Sequence, residues 1–130
     1  MPRVRSDELL LRIVRDAVAL QPVADDALAA LSAAPERVGI WARAASRVAG
    51  RYWEMLQELT PDTPDRRRVA ELLGYHERIL RHTIRFACSL DHVADRQVLS
   101  TRQASTGLGE PGAELRRMLK ELDAESAADG

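Results

Sequence analysis

The residues of this chain best suited to chemistry are the arginines and histidines between positions 66 and 92. Arg66, Arg67 and Arg68 stand in a row, and Arg78, Arg81, His82 and Arg85 follow. Arg78, Arg81 and Arg85 fall three and four residues apart, on one face of a helix. From there guanidinium groups donate to phosphate oxygens or guanine edges. A second row, Arg43, Arg47 and Arg51, recurs every four residues upstream. Glu54, Glu58, Glu71 and Glu77 are interspersed, so the plainer reading is a solvated, partly ion-paired surface.

The segment from Asp65 to Leu90 can be built in two ways. In the first, Ala70 is the small residue that allows a close crossing and Gly74 supplies the turn. Val69, Leu73, Tyr75, Leu80 and Ile84 then anchor two short helices, the second running from Glu77 to Phe86. Arg78, Arg81, His82 and Arg85 would face a DNA groove, with Arg66, Arg67 and Arg68 flanking the backbone. Over this stretch alone the chain resembles the bacterial helix-turn-helix regulators, which implies a DNA-binding function. It departs from them at His76, a poor cap for a second helix, and in lacking a following hairpin that would make a wing.

In the second way the segment is one amphipathic helix, with Val69, Leu72, Leu73, His76, Leu80, Thr83, Ile84, Ala87 and Leu90 on one side. A glycine inside a helix costs about 1 kcal/mol relative to alanine. Burying large side chains on both sides of it returns about 1.5–3 kcal/mol each. The continuous helix is therefore the favoured reading, and the DNA reader is the alternative.

Other chemistry finds less support. His76, His82 and His92 lie six and ten residues apart, on different helix faces, and three ligands on one helix make poor chelating geometry. No metal site is expected. His76, on the apolar seam, reads as a buried polar residue bonded to a carbonyl or to Tyr52. On that reading His76→Leu leaves stability unchanged or raised. The lone Cys88 excludes an intrachain disulfide and reads as a small buried hydrophobe. Arg85 and His92 are spaced in a way that resembles the small helical ribonuclease domains of toxin–antitoxin systems, but Phe86 replaces the polar residue that normally follows the arginine. No Ser-His-Asp set, phosphate loop or Cys-x-x-Cys pair occurs, so no catalytic residues, cofactor or small-molecule substrate are assigned.

The elements that must position these residues are helices. The 130-residue chain is rich in Leu, Val and Ala, poor in aromatics, and lacks strand-like runs. A first helix begins at Ser6 as N-cap, carries Leu10, Ile13, Val14, Ala17 and Leu20, and ends at Pro22. A short second covers about 23–34. The third, Pro35 to Leu59, has the clearest seam: Val38, Trp41, Ala45, Val48, Tyr52, Met55 and Leu59. Thr63 caps the fourth and Pro64 opens it, so the two long helices form an antiparallel hairpin.

The expected domain order is a helical bundle over 1–94, a flexible linker over 95–112, a loosely tethered amphipathic helix over 113–123, and a disordered tail over 124–130. Net charge is −1, with eighteen Arg and a single Lys, Lys120. Between Glu36 and Arg85 ten Arg stand against seven acids. No apolar run has the length of a membrane span and no signal-like leader opens the sequence, so a cytoplasmic protein of a GC-rich bacterium is expected.

The function expected from these features is that of a non-catalytic interaction or regulatory module. Its partner would meet the bundle surface, through Trp53, or the ridge Leu115, Met118, Leu119 and Leu122. Apolar surface left over along the hairpin seam predicts a homodimer or another protein partner. DNA is the alternative partner.

Overall fold

The computed structural model describes residues 7–33, 38–88 and 107–129. They form four helices and, among the described residues, no strand: α1 (Glu8–Ala33), α2 (Val38–Glu58), α3 (Pro64–Ala87) and α4 (Gly109–Asp129). The protein is an all-α helical bundle. Arg12 pairs with Glu58, and Tyr52 reaches Ala17, so α1 and α2 run antiparallel. Tyr52 also meets His76 on α3, while Gln21 on α1 faces both His76 and Gly112 on α4. Successive helices therefore alternate in direction, and α1 and α3 face each other across the core.

The start of α1 is held by Asp7, while the expected cap, Ser6, lies outside the described residues. The Asp7 carboxylate accepts the Leu10 N–H at 3.1 Å, satisfying one of the free donors of the first turn. The same carboxylate receives Nε and Nη2 of Arg66, at 2.7 and 2.9 Å, tying the start of α1 to the start of α3. This bidentate pair holds the Asp7 carboxyl below its ordinary range.

The expected break at Pro22 does not occur: α1 continues through it. Proline removes one N–H and crowds the preceding turn, at a cost of about 3 kcal/mol in a helix interior. Against that stand Ile13, Val14 and Ala17 before the proline and Ala24, Ala27, Leu28 and Leu31 after it, all buried. Each large side chain contributes about 1.5–3 kcal/mol only if the stripe stays on one line, so burial outweighs the local defect. Pro22 itself faces solvent.

On α2 the seam residues Ala45, Val48, Tyr52 and Met55 are buried, with Leu59 just beyond the helix, and Trp41 is partly buried. Positions 35–37 of the expected helix, and its first-turn proline, lie outside the described residues. At the head of α3 the Thr63 hydroxyl accepts the Arg66 N–H at 3.1 Å and Pro64 takes the first turn. The helix then runs unbroken past Gly74, whose backbone is not left-handed. A helix-turn-helix at this place would need its turn there, so the two crossed pieces of that reading are absent. The end of the expected segment, 89–94, lies outside the described residues. Cys88 is exposed, against the expectation of burial.

The C-terminal helix is longer than 113–123 at both ends, taking in 109–112 and 124–129. It packs along α1 and α3. Leu108 and Leu115 are buried and Leu122 is nearly so, while Met118 and Leu119 pack against the core from its edge. Arg15–Asp123 at 3.0 Å and Arg68–Glu114 at 2.5 Å clasp it from outside. Gly107 and Gly109, expected to loosen a linker, instead form a tight entry turn with φ of 50° and 63°. Most of the expected linker, 95–106, lies outside the described residues. Among the described residues no helix is long and apolar enough to cross a membrane.

The helical state of Gly74 has a direct test. A Cβ built there would stand 3.1 Å from an Arg78 guanidinium nitrogen, the far end of an exposed, flexible side chain. Gly74→Ala is expected to stabilise the protein by about 1 kcal/mol in denaturant unfolding, the ordinary gain inside a helix. A turn glycine with positive φ would instead give a loss.

Candidate functional site

Two places concentrate polar chemistry, one inside the bundle and one on its surface. The inner one centres on Gln21, which is 2% exposed and continues the α1 stripe in register with Ala17 and Ala24. Its amide nitrogen lies 3.1 Å from His76 Nε2 and 3.1 Å from the Gly112 carbonyl oxygen. Its amide oxygen accepts from Arg116 at 3.0 Å. The His76 Nδ1 lies 2.6 Å from the Leu72 carbonyl. A carbonyl only accepts, so Nδ1 carries the hydrogen and Nε2 is bare. Gln21 therefore donates one hydrogen to His76 and the other to Gly112. Three helices meet on one fully used amide.

Two further contacts close this layer. The Tyr52 hydroxyl donates to the Ala17 carbonyl at 3.0 Å, and its ring meets His76 edge-on with centroids 5.1 Å apart. The Asp25 carboxylate accepts the Leu108 N–H at 3.0 Å and fills the space beside Gly107. Burial pushes the Tyr52 hydroxyl above its ordinary range, with the Asp25 charge acting the same way. Burial likewise pushes His76 below the usual imidazole range, and the Arg116 cation adds to this. The Leu72 carbonyl and Asp25 oppose that shift without reversing it. His76 is thus a neutral structural group, bonded to a carbonyl and in contact with Tyr52 as the sequence suggested. Gln21, Asp25, Gly112 and Arg116 are not among the residues the sequence singles out. A glutamine in register on an apolar stripe was the available signal.

On the surface, the structure divides the candidate nucleic-acid residues. Arg66 is bound to Asp7 and to the Thr60 carbonyl. Arg68 is bound to Glu71 and Glu114. Both hold helices together and neither is presented to a ligand. Arg67 is exposed between them. Arg78, Arg81, His82 and Arg85 lie about three to five turns further along the same helix, all exposed, with Arg81 bound to Glu77 at 2.5 Å. The two groups do not converge on one recognition helix.

What α3 does bring together is its own second half and most of α2. Residues 38–53 and 78–88 contain Arg43, Arg47, Arg51, Arg78, Arg81, Arg85 and His82, and no acid. Arg51 approaches Glu54 only to 3.9 Å. Among the described residues Arg43, Arg47, Arg78 and Arg85 have no carboxylate partner. Ser46, Arg81, Ile84 and Arg85 line an open groove of about 300 Å³ between the two helices. Ile40 and Phe86 are exposed in the same two stretches, and Trp53 is half exposed at their edge.

The partner residues expected on the C-terminal ridge are placed otherwise. Leu115 and Leu122 face the core of this chain, which occupies the ridge. Among the described residues no group of three or more His, Cys, Asp or Glu could hold a metal ion, and His92 lies outside them. Neither a family model, nor a curated protein, nor a solved structure matches this chain.

The histidine hub makes two measurements decisive. His76 stays neutral when folded but takes a proton near pH 6.5 when unfolded, so its contribution is complete above that pH and is lost as pH falls below it. Stability is expected to drop as pH falls below about 6.5, by up to about 1.4 kcal/mol per unit, the slope of one proton. His76→Leu should flatten that slope. It should also cost about 1–3 kcal/mol at pH 8, because it strands a Gln21 hydrogen in the core. This reverses the expectation drawn from the sequence, and an unchanged urea midpoint at pH 8 would restore it.

Proposed function

We propose that this protein is a non-catalytic interaction module that acts through protein–protein contacts at the arginine-rich half of α2 and α3. The observation that carries this reading is the segregation of its charge. Arg12, Arg15, Arg66, Arg68, Arg81 and Arg117 are all paired with acids of this chain. Arg43, Arg47, Arg78 and Arg85, without an acid partner among the described residues, lie in two stretches of neighbouring helices, 38–53 and 78–88, whose sequence has no carboxylate. The charge concentrated here makes a field that attracts and orients an acidic partner.

Exposed Ile40, Trp53 and Phe86 add apolar contact area to the same region. Arginine and aromatic side chains are the residue types that dominate binding energy at protein interfaces. The buried hub, by contrast, is consumed by the fold. Its hydrogen bonds are made within the bundle and its histidine has no open side for a substrate. A homodimer remains one form such a contact can take, although α4 already covers part of the apolar seam that argued for it.

A DNA-binding regulator is the competing reading, because an unpaired arginine face also suits phosphates. It loses support with the absence of a turn at Gly74, since a groove-reading helix must project from its neighbours. Here α3 buries Leu80, Thr83 and Ala87 on the side opposite its arginines. Fluorescence anisotropy with a random DNA duplex at two salt concentrations separates the readings. No binding at moderate salt is expected. Micromolar binding that weakens steeply as salt rises would put the DNA reading first.

A further inference from the structure

We infer that the groove between α2 and α3 is the docking site for an acidic amphipathic helix of a partner protein, one that presents an apolar side chain between two carboxylates. The inference rests on the reading above and adds the occupant. Ser46 forms one wall of the groove, and Arg81, Ile84 and Arg85 form the other. Ile84 is partly buried and gives the groove an apolar floor, while Ser46, Arg81 and Arg85 reach solvent.

The arrangement of charge selects the occupant. Arg81 and Arg85 stand four residues apart, about 6 Å along the helix axis at 1.5 Å per residue. Carboxylates four residues apart on an incoming helix have the same spacing. Glu77 holds the Arg81 guanidinium at 2.5 Å and so fixes its position, leaving it part of its donor capacity. Arg85 has no acid partner among the described residues and is exposed. Arg78 lies one turn back on the same face and Arg43 and Arg47 lie on α2, so the surroundings of the groove carry positive charge on both helices.

Size points the same way. Pockets that enclose a small molecule or cofactor start at about 300 Å³ and extend to about 1,000 Å³. This groove lies at the lower limit and is open, room for an inserted side chain rather than an enclosed ligand. Helix-in-groove recognition uses such a space for one apolar anchor, with charged residues at its border.

The test uses the full chain and a synthetic helical peptide with a leucine stripe bordered by glutamates. A peptide of the same composition in scrambled order and a random DNA duplex serve as comparisons, with anisotropy measured at low salt. The amphipathic peptide is expected to bind more tightly than either. Ser46→Tyr fills the groove without changing charge and should weaken binding about tenfold, as loss of an interface anchor does. Arg85→Gln should have a similar effect. Arg43→Gln, outside the groove, should weaken it only about twofold, the effect of an exposed charge. Ser46 and Arg85 are exposed, so both variants should keep the parent unfolding curve.

If Ser46→Tyr binds as well as the parent while each arginine variant loses equally, the groove assignment fails and a diffuse acidic contact remains. If neither peptide nor duplex binds, the interaction reading fails with it. If the duplex binds more tightly than the peptide, a nucleic acid replaces the acidic helix.

Discussion

The bundle depends on a single side-chain amide that has nowhere to turn. Gln21 is buried among apolar stripes, yet both its hydrogens and its oxygen are engaged, on α3 through His76 and on α4 through Gly112 and Arg116. A buried amide left unpaired would cost several times what one of its hydrogen bonds contributes, so the three contacts stand or fall together. They require His76 to be neutral, with its hydrogen on Nδ1, and they fix the height at which α4 meets α1. Apolar packing alone would let α4 slide by a turn. The polar layer sets the register that leucines cannot.

Three features outside the core follow from that register. With Gly112 opposite Gln21, the entry turn of α4 falls on Asp25, and the left-handed glycines at 107 and 109 become necessary. Glu114 arrives beside Arg68 and Asp123 beside Arg15. The acids of α4 thereby neutralise arginines along the α1–α3 side, toward the start of both helices. Among the described residues no acid of α4 pairs with Arg43, Arg47 or Arg85 on the α2–α3 surface. The segregation of charge on the outside is thus a consequence of where the inside places the last helix.

Much of the architecture was legible in the sequence. The α2 seam, the Thr63-Pro64 start of α3 and the passage of α3 through Gly74 follow from three-and-four spacing and cap chemistry, which are local and strong. The passage of α1 through Pro22 was not legible, because a local breaker gives no sign of the apolar stripe that continues on its far side. Arg66, Arg67 and Arg68 looked alike because a run of three arginines says nothing about which of them will find an acid from a distant helix.

What the sequence determined by itself was therefore the set of helices and the face each would bury, since both arise from residues within a few turns of one another. Tertiary structure alone decided which polar groups are structural and which remain for a partner. Gln21 meets Gly112 across ninety-odd residues of chain, Arg68 meets Glu114 across forty-six, and Arg85 meets no acid among the described residues. Pairing over such separations depends on how helices stack, and the desolvation that fixes each group's charge exists only after they have stacked.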